Sequence, residues 1–308
     1  MKILIIGGAG YIGTKLCNYL VSKNYKITCL DNFWFGDFLP KKVLKIKADI
    51  RYYNFNKLPK FDAVIDLAYL SNDPLCELDA RHTWESGPLA VYKILDYCVK
   101  KKIKKFLFAS SGSIYGLKKE KKVHEGLGLD PITDYNKSKM ICEKVIQSYS
   151  DKIKYTIIRP ATVCGFSDRL RLDVVLNLFC YQAYYKKKIS ITGGSQIRPL
   201  VHIDDMIRCY EFFIKKNIVG VFNLGFENKS ISNIAKDVSR QINCKITYIK
   251  TNDPRSYRIS SEKILKVGFQ PKFNSIDAIK DIKYNFEKGF KPTKNNWNLA
   301  WLKSNKKI

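Results

Sequence analysis

Along the first half of the chain, short apolar runs rich in β-branched residues alternate with amphipathic stretches. The runs fall at Lys2–Gly7, Lys26–Asp31, Val43–Ala48, Ala63–Ala68, Lys105–Ala109 and Tyr155–Arg159. Between them, Tyr11–Lys23, Leu89–Lys101 and Tyr135–Tyr149 repeat their apolar positions at helical spacing. Strands that are apolar throughout, separated by helices, are the pattern of a parallel sheet covered on both faces. Right-handed crossovers then give a doubly wound sheet with a ligand crevice at the carboxyl ends of its strands. The predicted class is α/β: a Rossmann-type doubly wound parallel sheet with a smaller mixed α/β C-terminal substrate-binding region.

Beyond Pro160 the alternation is less regular. It predicts helices at Leu172–Lys187, Ile203–Lys216, Ser232–Gln241 and Ser275–Glu287, with strands at Lys188–Thr192, Gly220–Leu224 and Lys245–Lys250. The division that follows is a dinucleotide-binding domain over 1–165, to which 200–225 returns, and a substrate-binding region over 166–199 and 226–308. The polar, basic end of the chain reads as a loosely held tail anchored by Trp297 and Trp301.

Composition adds exclusions more than assignments. The 308 residues are 45% hydrophobic and 27% charged, the profile of a globular chain and not of a disordered or fibrous one. No apolar run reaches the about 18 residues of a membrane span, and the run before Gly7-Gly8 is too short for a signal-peptide core, so a cytoplasmic protein is expected. Nine scattered cysteines form neither a CxxC pair nor a Cys/His spacing, which predicts free thiols in a reducing compartment and no metal. The net charge of +27 would suit nucleic acid or an anionic membrane, but 45 of the 55 basic residues are lysines spread almost evenly. Such a distribution reads as a solvated surface, so neither nucleic acid nor membrane is expected as a partner. Eight of the ten arginines lie between 159 and 258.

Two constellations carry chemistry. Gly7-Gly8-Ala9-Gly10-Tyr11-Ile12-Gly13 joins the first strand to the first helix, where unpaired N–H groups and the helix dipole favour a pyrophosphate. Glycines at 7, 10 and 13 let the backbone turn and approach the ligand. Asp31, 18 residues after Gly13 at the end of the second strand, suits two ribose hydroxyls and would repel a 2′-phosphate, which favours NAD over NADP. In the second constellation, Tyr135 and Lys139 stand four apart on one helix face, behind a serine-rich strand end, Ser110-Ser111-Gly112-Ser113. An ammonium beside a phenol favours the phenolate, and a serine hydroxyl aligns the reacting oxygen.

With these residues in view, the chain resembles the extended short-chain dehydrogenase/reductases, the NAD-dependent nucleotide-sugar epimerase/dehydratase group, over nearly its whole length. The resemblance is carried by GGAGYIG, LDN at 30–32, KADI at 47–50, LAY at 67–69, SSGSIYG, YNKSK, RPATVCG at 159–165, RPLVHIDD at 198–205 and GVFNLG at 220–225. It implies Tyr135 as base, Lys139 on the nicotinamide ribose and Ser111 on the substrate oxygen. It also implies an NAD site at Gly7, Gly10, Tyr11, Ile12, Gly13, Asp31 and Asn32, with Asp49 and Ile50 beside the adenine and Leu67, Ala68 and Tyr69 on the pyrophosphate side. A nucleotide sugar, linked to UDP, GDP, dTDP or CDP, would meet Ser113, Asn177, Leu178 and two arginine clamps, Arg198 and Arg255. Arg169 and Arg171 read equally well as surface ion pairs. A homodimer through the helices at Leu89–Lys101 and Tyr135–Tyr149 is expected on the same ground.

Within the group, SNDPLCELD (71–79) and SDRLRLDVVLN (167–177) are more loosely similar to oxidases and epimerases of GDP-heptoses and to relatives that dehydrate UDP-sugars, enzymes of cell-surface glycan pathways. Three positions depart from the group's pattern. Gly112-Ser113 stands where its 4,6-dehydratases carry an Asp-Glu pair, Gly87 where an asparagine is usual, and Thr162 where many members have asparagine. Ser86 and Pro88 read as the N-cap and first residue of a late-starting helix. His202 reads as structural, and His82 and His124 have no evident partners. The expected function is an NAD-dependent oxidoreductase or epimerase acting at C4 of a nucleotide-activated sugar. A 4-dehydrogenase that releases the keto-sugar, a dehydratase and a catalytically silent NAD-sensing protein are the alternatives.

Overall fold

The computed structural model describes residues 1–71, 73–249 and 256–305. In chain order its elements are β1 (Lys2–Ile6), α1 (Tyr11–Ser22), β2 (Lys26–Asp31), β3 (Leu44–Lys47), β4 (Ala63–Asp66), α2 (Asp73–Leu78), α3 (Ala80–Trp84), α4 (Ala90–Lys100), β5 (Lys105–Ala109), α5 (Asp134–Gln147), β6 (Lys154–Pro160) and β7 (Thr162–Cys164). There follow α6 (Val175–Lys186), β8 (Lys188–Thr192), β9 (Ile197–His202), α7 (Ile203–Lys215), β10 (Gly220–Leu224), β11 (Glu227–Ser230), α8 (Ile231–Ile242), β12 (Lys245–Ile249), α9 (Glu262–Lys266), α10 (Ser275–Glu287) and α11 (Asn298–Ser304).

The six apolar runs of the first half are β1 to β6, each bounded within two residues of its predicted ends. Together with β10 they form one seven-stranded sheet in the order β10-β6-β5-β4-β1-β2-β3, parallel at every pairing. Ile3 to Ile6 are wholly buried, as strands covered by helices on both faces must be. The chain winds outward from β1 to β3 and then crosses back to β4, so the order reverses between β1 and β4. Ligands of doubly wound sheets bind in the crevice above such a switch point.

Two small sheets complete the molecule: β11-β9-β7, and β12 paired parallel with β8. One core unites β1, α1 and α7 with α6, α8 and α10; a second lies on the other face of the large sheet under α4 and α5. All nine cysteines are free, eight of them buried. Among the described residues no helix is long and apolar enough to cross a membrane.

Two expectations are corrected. Ser86 and Pro88 do not start a helix: a π-helical turn, Glu85–Leu89, carries the chain without a break from α3 into α4. Ser86 Oγ donates to His82 O at 2.7 Å, and the wider turn accommodates a proline, which has no N–H to give. Nor are residues 296–302, before the end of the chain, loosely held. Asn296, Asn298 and Leu302 are buried, Trp297 packs edge-on to Tyr181 at 4.9 Å, and Leu172 N donates to Asn296 O.

Candidate active site

One cavity lies at the carboxyl ends of β1, β2, β4 and β5, and residues from both constellations line it. On one side is the glycine turn. Gly7 has φ +79°, and a Cβ there would meet Ala68 N at 2.5 Å; a Cβ at Gly13 would meet Gly7 O at 2.4 Å. Backbone contact this close admits only glycine. Gly10 differs: a Cβ there would meet nothing nearer than Gly7 O at 3.4 Å, so the space it would fill is the cradle itself. Gly10 also provides no side chain to cap α1, which leaves the first N–H groups of that helix for an anion. Beside the turn, Asp31 accepts from Ala9 N at 2.9 Å and Phe33 N at 2.8 Å, which locks its carboxylate on the rim. These features fit a dinucleotide with a pyrophosphate and an unmodified ribose.

Asn32, Asp49, Ile50, Leu67, Ala68 and Tyr69 line the same groove, together with Tyr11 and Ile12. Asp49 is engaged by Arg51, whose Nη2 donates to it at 2.7 Å. Tyr11 donates to Gly165 O at 2.7 Å, tying α1 to the loop after β7.

Opposite the turn stand Ser111, Ser113, Tyr135 and Lys139. Glu143 holds their elements in register. Arg159 donates to it from Nε at 2.9 Å and Nη2 at 2.6 Å, and Ser110 Oγ donates at 2.5 Å, so the end of β5, helix α5 and β6 meet at one buried carboxylate. Thr133 caps α5 by accepting from Asn136 N, which starts the helix just before Tyr135. Ser111 and Ser113 share a hydrogen bond of 2.7 Å, and Ser113 Oγ donates to Asn136 Oδ1 at 2.5 Å.

Lys139 is 3% exposed. Its Nζ donates to Ala109 O at 2.6 Å and stands 3.7 Å from the centre of the Tyr69 ring. Burial pushes its pKa down to about 8, opposed by the neighbouring Cys142 thiol and the Asp66 carboxylate. Asp66, at the end of β4, is itself driven up to about 7 by burial, with Lys139 and the Ala68 N–H pulling the other way. Burial also raises the Tyr135 phenol, while hydrogen bonding to Ser111 and the positive charge of Arg171 favour its ionised form. The cluster combines a proton acceptor, a hydroxyl that can hold a substrate oxygen, and a cation whose charge is tunable near neutrality.

The expected nucleotide-sugar contacts are distributed differently. Ser113 lines the cavity; Asn177 and Leu178 do not. The Asn177 amide is fully engaged, accepting from Gly165 N at 3.1 Å and donating to Arg171 O at 2.9 Å and Tyr11 OH at 3.1 Å, so it pins the wall from behind. Arg198 lies back from the cavity, its guanidinium over the ring of Tyr257, which does line it. Arg255 lies outside the described residues. Arg169 and Arg171 are not surface ion pairs: they are 1% and 8% exposed and both form cavity wall. Arg171 Nε donates to Asp173 at 2.6 Å and its Nη1 to Ser71 Oγ at 2.7 Å.

Other wall residues escaped the sequence reading. Trp34, Phe35, His82, Asp173, Tyr257, Asn298 and Leu302 all line the cavity. His82 meets the Trp34 ring edge-on at 5.5 Å. His202 stays outside, accepting from Asp204 N through Nδ1 and stacking on Phe273 at 5.0 Å. It approaches Asp204 and Asp281 as metal ligands would, but Lys15 Nζ already stands 2.9 Å from Asp204.

A model of the NAD dependent epimerase/dehydratase family matches residues 3–225. The UDP-glucose 4-epimerase of Lactobacillus helveticus is 27% identical, over 91% of this chain and 94% of its own. Among solved structures, the UDP-glucuronic acid 4-epimerase of Bacillus cereus, in complex with UDP-glucuronic acid and NAD, is 26% identical with a TM-score of 0.83, covering 94% of this chain and 100% of its own. The UDP-glucose 4-epimerase of Thermotoga maritima, with UDP-glucose, is 23% identical with a TM-score of 0.87, over 94% and 99% of the two chains, and shares the fold.

Proposed function

The chain belongs to the NAD dependent epimerase/dehydratase family, and from that premise we propose that it is an epimerase that inverts C4 of a UDP-activated sugar in cell-surface glycan biosynthesis. The observation that carries this reading is the placement of Ser111, Tyr135 and Lys139 across one cavity from the glycine cradle. When bound, NAD supplies the acceptor and donor of hydride. Tyr135 takes the proton of the C4 hydroxyl, Ser111 holds that oxygen, and Lys139 stabilises the phenolate while reaching the nicotinamide ribose. Tyr135 then returns the proton to the keto-sugar after it has turned in the cavity. UDP is favoured among the possible nucleotides because the similar epimerases act on or bind UDP-sugars.

Water loss is disfavoured by chemistry. A 4,6-dehydratase needs an acid and a base beyond the tyrosine, and Gly112-Ser113 offers neither. A homodimer through α4 and α5 is part of the same proposal. Leu89 and Tyr92, beside and within α4, are 56% and 54% exposed, an apolar surface that a second copy would cover.

The test is to incubate the protein with UDP-, GDP-, dTDP- and CDP-sugars in D₂O and follow the sugars by NMR. A C4-inverted UDP-sugar with no net change in the dinucleotide supports the reading. Accumulating keto-sugar with reduced dinucleotide would replace it by a 4-dehydrogenase. A product lighter by one water, with solvent deuterium at C5, would replace it by a dehydratase.

A further inference from the structure

The C-terminal helix and Arg169 meet over the dinucleotide groove in a way the proposed chemistry does not use. Arg169 is one of the largest fully buried side chains, and among the described residues no carboxylate lies within ion-pair distance of it. Its Nη2 donates to Asn298 Oδ1 at 2.5 Å, its guanidinium lies 4.1 Å from the centre of the Phe35 ring, and its Nε has no hydrogen-bond partner. Asp31, also on this cavity, takes its hydrogen bonds from Ala9 and Phe33 instead. A buried cation with no direct ion pair costs several kcal/mol, and the carboxylates of Asp173 and Asp31 favour its charge only at longer range. Arg169 lines the same cavity as Gly10, where the backbone leaves room for a pyrophosphate.

What holds the arginine there is the end of the chain. Asn296 Nδ2 donates to Leu170 O at 2.6 Å, and Asn295 Nδ2 to Phe35 O at 3.2 Å. Trp301 lies 5.1 Å from Phe35 and stacks on Trp34 at 6.2 Å. Leu302, 1% exposed, joins Leu70 and Cys76 in a small apolar cluster beside the groove. α11 thus straps the segment after β2 to the segment after β7, one on each side of the crevice.

We propose that Arg169 is a further cofactor-binding residue, the cation that neutralises the dinucleotide pyrophosphate from the side opposite α1, and that α11 is the clasp that positions it through Asn298. The inference rests on the NAD reading of the groove and goes beyond it by assigning the closure to this chain's own C-terminal segment. A cofactor clasped from both sides stays bound through turnover, as a reaction with no net redox change requires.

The test uses the full chain with ADP-ribose, adenosine and UDP as probes. ADP-ribose carries the pyrophosphate; adenosine fills the Asp31 end without any phosphate. Arg169→Gln removes the cation. Asn298→Asp keeps the contact to Arg169 but supplies an internal anion that competes with the pyrophosphate, and Trp301→Ala loosens the clasp. Each variant is expected to bind ADP-ribose about tenfold or more weakly, the effect of one charge-assisted contact, to lose NADH faster in stopped flow, and to bind adenosine like the wild type. Unchanged ADP-ribose affinity in Arg169→Gln and Asn298→Asp would overturn the proposal. So would a parallel loss for adenosine, which would mean general damage, or a loss confined to UDP, which would put Arg169 on the other substrate. A wild-type chain that binds neither NAD nor ADP-ribose would sink the cofactor reading itself and this proposal with it.

Discussion

Tyr69 fills the space that a side chain at Gly87 would need: a Cβ on Gly87 would stand 2.6 Å from the Tyr69 hydroxyl and 3.0 Å from its ring. That hydroxyl donates to Ser138 Oγ at 2.5 Å, and the face of the ring meets the Lys139 ammonium. In the family pattern an asparagine stands at the position of Gly87. Here the Tyr69 ring, from the segment after β4, fills the space beside Gly87, and its π-face steadies the lysine.

Gly87→Ala should be destabilising because Tyr69 cannot retreat without breaking its bond to Ser138. Overpacking of this kind costs about 1–3 kcal/mol. Combining it with Tyr69→Phe removes the nearest clashing atom and should restore part of the loss, giving a favourable coupling energy in a double-mutant cycle of urea melts. A Gly87→Ala protein that melts like the wild type would show that the ring yields freely.

Tyr135→Phe should lower kcat by about 10²–10⁴, the range for a lost general acid–base group. The ring keeps its edge-on contact with Tyr69 at 5.7 Å, so ADP-ribose affinity should not change. Turnover at the wild-type rate would remove Tyr135 from the mechanism.

The central parallel strands β1, β2, β4, β5 and β6 were legible because they are buried on both faces, and continuous apolar runs have few other solutions. The glycine turn and Tyr135 with Lys139 were legible because their chemistry depends on local spacing. The opposite wall was not. Arg169 meets Asn298 across 129 residues, and Asn296 meets Leu170 across 126. A polar, basic tail carries no local trace of such contacts. Pro88 misled for a related reason: it reads as a helix start, yet a π-helical turn lets it sit inside a continuous helix. The +27 charge retains no assigned role beyond the few arginines that the fold gathers at the cavity.

If a second copy covers α4, charge placed there should prevent it. Leu89→Glu with Tyr92→Glu, both in exposed positions, should give a monomer in sedimentation velocity with an unchanged far-UV spectrum. A wild-type protein that sediments as a monomer would remove the dimer from the proposal.

Asp66 should make stability depend on pH in an unusual direction. Its folded-state pKa is raised from 3.8 to about 7, so the folded state holds a proton that the unfolded state has released. Its contribution is most favourable below about pH 4 and is lost as pH rises through 7. Asp66→Asn removes that loss while its Oδ1 can still accept from Ala68 N. Relative to the wild type, the variant should gain on the order of 1–4 kcal/mol between pH 5 and pH 8, read from urea melts at each pH. Parallel stability curves for the two proteins would refute the raised pKa.

The same carboxylate should set the alkaline limit of activity. Burial brings the Lys139 pKa down to about 8, and deprotonation there would remove the charge that the proposed mechanism uses to stabilise the Tyr135 phenolate. The profile of kcat/KM, which reports the free enzyme, should therefore fall above about pH 8. Asp66 favours the charged form of Lys139, so Asp66→Asn should move that falling limb to lower pH while leaving Tyr135 and Ser111 in place. Neither Tyr135→Phe, which removes turnover, nor Cys142→Ser, which removes a thiol that also favours the charged form of Lys139, can serve as the control. An alkaline limb unmoved by Asp66→Asn would mean that the limb belongs to another group, and that the buried pair of Asp66 and Lys139 does not govern the proton transfer.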